Sequence, residues 1–210
     1  MLYNPQHFRE TDRAALDAFV AEHPFATLVS VGADGPIVSH LPMLLDPEPA
    51  PGGSLIGHIA RANPQWRASD VDKPVVAIFH GPDAYISPSW YPSKAEHGKV
   101  VPTWNYAVVH ATGRLVPFED ADALRALVDR LTDTHEAAFA APWRTSDAPE
   151  EFIRAQLRGI VGVRIEIASI EGKMKLSQNR SAADKAGAVD GLERRHEVPS
   201  EAVASLMRDA

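Results

Sequence analysis

The sequence predicts a mainly β chain with peripheral helices, an α+β protein built on an antiparallel barrel or sandwich. At least six strand-like segments, with hairpin signals, precede the main helix. They do not alternate one-for-one with helices, which argues against a doubly wound nucleotide fold. Neither G-x-G-x-x-G nor G-x-x-x-x-G-K-[ST] occurs, and with 13 Gly in 210 residues there is no glycine-rich phosphate cradle.

The elements follow in order. Asp12 can cap a helix over about 12–22, where Ala15, Leu16, Phe19 and Val20 recur at helical spacing. ATLVSVG (26–32) is strand-like, and Ala33-Asp34-Gly35 is a tight turn because Asp-Gly supports positive φ. PIVSHLPMLLD (36–46) is the return strand, and PEPAPGG (47–53) is a connecting loop. SLIGHIA (54–60) and PVVAIFH (74–80) are further strands. Between them Asn63-Pro64 gives an N-cap and first-turn Pro to a short helix through Trp66. NYAVVHATGRLVPF (105–118) is a long strand with Gly113 as a candidate bulge. From Asp120 the period becomes helical, with Leu124, Leu127, Val128 and Leu131 on one face. A loop over 142–149 precedes a short helix over 150–158. VGVRIEIASI (161–170) alternates Val163, Ile165 and Ile167 inward with Arg164 and Glu166 outward. The tail from Ser181 is polar and helical, so the expected organisation is one domain over 1–210 with a helical extension from about 181.

Composition bounds the function. Hydrophobic content of 45% can fill a core, and the net charge of −7 argues against direct nucleic-acid binding. The absence of Cys removes disulfides, thiolate metal sites and a Cys nucleophile. The first residues, MLYNPQHF, lack the basic and apolar regions of a signal peptide, and no stretch approaches the ~18 apolar residues of a membrane span. The expectation is a soluble cytoplasmic protein with no membrane partner.

Residues 79–106, FHGPDAYISPSWYPSKAEHGKVVPTWNY, are the most informative stretch. They hold two of the four Trp, three of the four Tyr and four Pro. One reading is a surface that grips a flat, polar-edged ligand; the other is a strand pair with Pro-stiffened loops whose aromatics fill a core. Elsewhere the familiar chemistry is missing. There is no G-x-S-x-G, and His135-Glu136 is followed by Ala137-Ala138-Phe139, so H-E-x-x-H is absent. The nine His are scattered without metal spacing, so no metal site is expected and no catalytic acid or base can be assigned. His40 and His58 sit within predicted strands, as pocket groups or as core or edge His bonded to a carbonyl. Arg194-Arg195-His196, between Glu193 and Glu197, reads as a solvated helix face.

Six segments together carry a resemblance: YNPQHF (3–8), GHIARANPQW (57–66), FHGPDAYISPSWYPSK (79–94), VPTWNYAVVHATG (101–113), GIVGVRIEI (159–167) and EGKMKLSQNR (171–180). In this order, over about residues 1–190, the chain resembles the PaiB family of FMN-binding negative transcriptional regulators. The resemblance implies the FMN-binding split β-barrel, shared with pyridoxamine-phosphate oxidases and small flavin reductases. It also implies FMN as cofactor and a homodimer with flavin sites at the subunit interface.

FMN needs donors for a dianionic phosphate, aromatic or apolar cover for the ring, and polar groups for its pyrimidine edge. Arg61, just before Asn63-Pro64, can fork onto phosphate oxygens or make a surface ion pair. Lys173 and Lys175 are phosphate partners, from this or the other subunit, or a solvated strand face. Ser177, Gln178 and Asn179 offer hydroxyl and amide groups to the flavin edge, or form a plain turn. Trp104 can cover the ring or the dimer seam, and Asn105 can bond the pyrimidine or ribityl groups. His40 and His58 would face one groove if their strands are neighbours. Trp66 and Trp90 serve packing as readily as contact. Tyr3 and His7 close over a site or anchor the chain, and residues 87–92 are expected in dimer architecture.

The expected function is a PaiB-type flavoprotein, redox-active or flavin-dependent, with any regulation indirect. The alternative is a split-barrel oxidoreductase, or a haem- or pyridoxal-phosphate-binding protein, with no regulatory role.

Overall fold

Asp34-Gly35 closes the first hairpin. β2 (Phe25–Gly32) and β3 (Gly35–Pro42) pair antiparallel with Gly32 opposite Gly35, whose φ of +124° suits glycine alone. These observations come from a computed structural model that describes residues 2–46 and 52–210. Most of the connecting loop expected over 47–53 lies outside the described residues.

The chain forms two units. One comprises the residues through Phe19 together with His80–Val109 and Glu171–Ala210; the other comprises Val20–Phe79 and His110–Ile170. Three long strands, β6 (Val75–Ile86), β7 (Thr103–Phe118) and β8 (Ile160–Lys175), run from one unit into the other. With β1 (Arg9–Glu10), β4 (Leu44–Asp46) and β5 (Ser54–Ala60), the described strands make one sheet in the order β3-β2-β6-β7-β8-β5-β4, and β1 pairs with β8. This curled antiparallel sheet with flanking helices is the expected split-barrel fold.

In the second unit β5 runs antiparallel to β8, Ser54 opposite Glu166 and Ala60 opposite Ile160. Val163, Ile165 and Ile167 are buried and alternate with Arg164 and Glu166, as the period-two pattern requires. A Cβ on Gly57 of β5 would lie 2.7 Å from the carbonyl oxygen of Pro42 at the end of β3, because the chain continues from there into β4, which pairs along β5 with Leu44 opposite Ile56. α2 (Gln65–Ala68) is the expected short helix, and Asn63 Oδ1 accepts from Gln65 N at 2.9 Å. α4 (Ala121–Glu136) starts at Asp120, whose side chain accepts from Ala123 N at 2.9 Å. Its buried Leu124 packs with Ile153 and Leu157 of α5 (Glu150–Leu157), and Leu127 and Leu131 pack with Leu44 and Ile56.

One expectation in this unit changes. The single strand over 36–46 divides at Met43, where Pro42 offers no N–H and Met43 N donates instead to Pro24 O at 2.8 Å. At Gly113 β7 continues without interruption. A Cβ there would lie 2.1 Å from Glu166 O, so the glycine permits close approach of β8.

The first unit holds the start of α1 (Arg13–Glu22) and the far ends of the long strands, with Arg9 of β1 opposite Lys173 of β8. The tail is more than a polar extension. α6 (Ala182–Glu193) and α7 (Val198–Asp209) bury Ala188, Leu192, Val203, Ala204 and Met207 against Ile86, Tyr91 and Leu176. The turn over 87–92, expected in dimer architecture, docks within the chain: a Cβ on Gly187 or Gly191 of α6 would strike Trp90 at 2.1 or 2.2 Å. Asp184, inside the first turn of α6, accepts from Ser93 N at 3.1 Å and Ser93 Oγ at 2.7 Å, which ties α3 (Ser93–His97) to that helix.

Candidate functional site

The end of β8 carries two lysines on one face, because strand residues two apart point the same way. Lys173 is only 7% exposed; its Nζ donates to the Tyr3 carbonyl at 2.9 Å and lies 5.1 and 5.5 Å from the ring centroids of Tyr3 and Tyr106. Lys175 Nζ donates to Thr103 Oγ1 at 2.6 Å and to the Trp104 carbonyl. The chain then turns at Ser177, which sits in the left-handed region at φ +65°, and Arg180 N donates back to Ser177 O at 3.0 Å. The Arg180 guanidinium lies 5.1 Å from the centroid of the Tyr91 ring.

These three cations are short of counter-charge. Among the described residues none of them forms an ion pair with a carboxylate, and the Arg180 side chain makes no hydrogen bond. Asp184 is near enough to sense Arg180, but it accepts its hydrogen bonds from Ser93. Burial holds the Lys175 ammonium below the usual lysine range, and the positive charges of Lys173 and Arg180 push it further the same way. An anion placed among these cations would relieve the repulsion that Lys175 feels.

Beside the cations lie exposed aromatic rings. Trp104, in the strand pair to Lys175, is 54% exposed and meets Tyr85 edge-to-face at a centroid distance of 6.0 Å. Tyr3 is exposed as well. Cations with free donors next to uncovered aromatic faces can take a ligand with an anionic group and a flat ring.

The other expected residues are placed as follows. Asn105 is fully buried: its Nδ2 donates to Ser177 Oγ at 2.9 Å and approaches Met207 Sδ at 3.2 Å. Its amide therefore clamps the Ser177 turn. Gln178 Oε1 accepts from Leu176 N at 2.8 Å, so it braces the same turn, while Asn179 is exposed. Lys173, Lys175, Ser177, Gln178, Asn179, Trp104 and Asn105 are thus brought together in the first unit.

Arg61, His40 and His58 belong to the second unit. The Arg61 guanidinium is occupied: Nε donates to Arg158 O at 2.7 Å, Nη2 to Ile160 O at 3.0 Å, and Nη1 pairs with Glu119. It lines a cavity of about 240 Å³ with Glu119, Leu124, Arg154, Leu157 and Arg158. His40 is exposed on β3, with Nδ1 3.1 Å from Thr27 Oγ1. β3 and β5 are not hydrogen-bonded neighbours in the sheet, but they approach one another where Pro42 meets Gly57, so His40 and His58 stand on adjoining strands of the second unit. Trp66 packs locally, its Nε1 donating to Arg61 O at 3.2 Å.

His58, opposite Gly162, is half-buried, and burial lowers its pKa. The unfolded chain then takes up a proton near pH 6.5 that the folded chain refuses, so stability falls as pH drops through that value. Replacing His58 with Asn is expected to flatten the loss of stability between pH 7 and pH 5.5. Urea denaturation at the two pH values checks this; an unchanged pH slope would contradict it.

Sequence reasoning passed over Arg180, Tyr106 and Tyr85 as site residues. The signal for Arg180 was present, since it closes the KMKLSQNR segment. The rings become recognisable only once β6 and β7 show which of their faces is exposed.

Comparison with known proteins gives a consistent picture. Residues 2–169 match the family model described as "Putative FMN-binding domain". The chain is 32% identical over 208 residues to "Protease synthase and sporulation protein PAI 2" of Bacillus subtilis (strain 168), covering 99% of this chain and 97% of that one. Lys173 to Arg180 lie beyond the family model but within the length matched to this relative. Among solved structures the chain is similar to the FAD and haem binding protein from Mycobacterium smegmatis, with TM-score 0.59, 18% identity and coverage of 86% and 80% of the two chains. It is also similar to the flavocytochrome Anf3 from Azotobacter vinelandii, with TM-score 0.56, 12% identity and coverage of 80% and 69%. At these identities the structural likeness speaks to the fold.

Proposed function

Because the chain belongs to the PaiB-type family of FMN-binding proteins, we propose that its FMN is held where Lys173, Lys175 and Arg180 converge beside Trp104 and Tyr85. The observation that carries this placement is the cation cluster without carboxylate partners. The residues fit the group: ammonium and guanidinium donors suit a dianionic phosphate, and the exposed rings suit an isoalloxazine face. Lys173 and Lys175 are pre-aimed by Tyr3, Thr103 and the Trp104 carbonyl, so little freedom is lost on binding. Asn105 and Gln178 hold the 176–178 turn that presents Asn179 and Arg180. When bound, flavin supplies one- and two-electron redox chemistry, and the protein contributes orientation, electrostatics and exclusion of water.

A homodimer completes the proposal. Trp104, Tyr85 and Val101 of the first unit are exposed, and a second copy covering them would sequester the ring. Sedimentation at micromolar concentration should give twice the chain mass. Any regulatory role is proposed as indirect, because a net charge of −7 opposes binding along a phosphate backbone. Specific, salt-sensitive retardation of DNA by the purified protein would contradict that part.

The proposal is tested by isolating the protein and examining the chromophore. A yellow protein that releases FMN on denaturation, or a colourless one that takes up added FMN, supports it. A colourless protein that fails to take up FMN overturns it. Affinity should also depend on pH. Lys175 carries its charge below its lowered pKa and loses it above, so FMN affinity is expected to weaken as pH rises through that value, before the ordinary lysine range is reached. Fluorescence titration from neutral to alkaline pH measures this, and Lys175→Met should remove the alkaline limb.

A further inference from the structure

We propose that the groove between α4 and the sheet of the second unit binds a small apolar monocarboxylate through Arg164. Arg164 stands on β8 opposite Ile56 of β5. Among the described residues its guanidinium makes no hydrogen bond and no ion pair, and its Nε is buried without a partner. The guanidinium carbon lies 5.7 Å from the centroid of the Phe118 ring. Arginine carries five N–H donors, and buried donors in folded proteins are nearly always paired. Of these donors Nε is the buried one, and an unpaired buried donor at the wall of a cavity points to a partner from outside the chain.

The cavity says what kind of partner. It measures about 220 Å³ and is lined by Asp46, Ile56, Phe118, Leu127, Arg130 and Arg164. Arg130 is already engaged, donating to Leu45 O at 2.5 Å and standing 3.5 Å from Asp46. Asp46 therefore has its counter-charge, and Arg164 is the cation left over. One unanswered positive charge calls for a monoanion; a dianion would place excess negative charge beside Asp46. The two oxygens of a carboxylate can accept in parallel from the Nε and an Nη of Arg164. Ile56, Phe118 and Leu127 then receive an apolar body. The volume is below the ~300 Å³ at which drug-sized ligands are usually accommodated, so that body is about the size of one aromatic ring. None of these residues belongs to the flavin contacts proposed above, so this site stands or falls independently of them.

Benzoate is a suitable probe, titrated calorimetrically into the full-length, FMN-equilibrated protein. The expected result is saturable binding of one benzoate per chain. Benzamide, of the same shape but uncharged, should bind at least about tenfold more weakly, because it leaves the guanidinium unanswered. Arg164→Met should weaken benzoate at least about tenfold without changing FMN content or affinity, on the same reasoning. Should that variant fold poorly, Ala126→Phe, at another residue that lines the cavity, takes up its space with Arg164 intact and should abolish binding by itself. The proposal is overturned if the wild-type protein shows no saturable binding, if benzamide binds as well as benzoate, or if a folded Arg164→Met or Ala126→Phe protein binds benzoate like the wild type.

Discussion

Replacing Lys173 and Lys175 together with methionine is expected to abolish FMN retention at micromolar concentration. Each substitution alone should raise the dissociation constant about tenfold to a hundredfold, the equivalent of losing a charged hydrogen bond of about 1.5–3 kcal/mol. Methionine keeps most of the apolar stem, so the rings of Tyr3 and Tyr106 still have something to pack on. The cations bear on affinity because among the described residues none of them forms an ion pair with a carboxylate. Lys175 is already held below its ordinary pKa by burial and by its positive neighbours, and a phosphate relieves part of that penalty. Arg180 should add to the effect, since among the described residues its side chain donates no hydrogen bond within the protein. The control is Arg61→Met. Its guanidinium is committed to Glu119 and to two backbone carbonyls, so that change should lower stability while leaving FMN affinity within about threefold, less than the tenfold that a charged contact supplies. Fluorescence quenching titrations, with thermal melts to confirm folding, give the comparison. Equal affinity in wild type and the double variant would remove the cations from the flavin site.

The second large effect concerns Gly187. Alanine is normally better than glycine inside a helix by about 1 kcal/mol, so Gly187→Ala ought to stabilise α6. Here the added Cβ would lie 2.1 Å from the Trp90 carbonyl oxygen. That atom is backbone in a turn fixed at both ends, by Ser87 Oγ accepting from Ser89 N and by Asp184 gripping Ser93. It cannot swing aside as a side chain would. Overpacking of this kind costs about 1–3 kcal/mol, and separating the helix from the turn adds exposure of the core residues Tyr91 and Leu192. A fall in Tm of roughly 5–10 °C is expected for a chain of this size. FMN retention should fall in parallel, because α7 supplies Met207, which packs on the Asn105–Ser177 clamp. Calorimetry and flavin content of one preparation measure both. A variant as stable as the wild type would mean that α6 does not seat on this turn.

Much of the barrel was readable from pattern alone. The Asp34-Gly35 turn and the SLIGHIA strand follow from turn chemistry and apolar content, and α4 follows from its cap and its leucine spacing. What escaped had identifiable causes. β6 continues to Ile86, beyond the strand expected over 74–80. Gly81 is there for space: a Cβ on it would lie 2.6 Å from the Phe19 ring. β8 continues to Lys175, as expected for a strand leading into KLSQN, but that Lys173 is buried on it leaves no mark in an apolar pattern. The C-terminal helices read as a polar extension because the buried face of α6 is built from Ala188, Gly191 and Leu192, where small residues replace bulk. For the site, residue type was informative and partnership was not. Asn105 and Arg61 have suitable groups for a flavin, but hydrogen bonds within the chain occupy them, and spacing in a sequence cannot reveal that.

The central claim is that the flavin is held by the end of β8 and the turn after it. A crystal structure of the FMN-loaded protein tests it most directly. The prediction is phosphate oxygens within about 2.7–3.2 Å of Lys173 or Lys175 Nζ, or of an Arg180 guanidinium nitrogen, with the ring against Trp104. A phosphate seated instead on Arg61, with Glu119 displaced and the lysines bare, would contradict it.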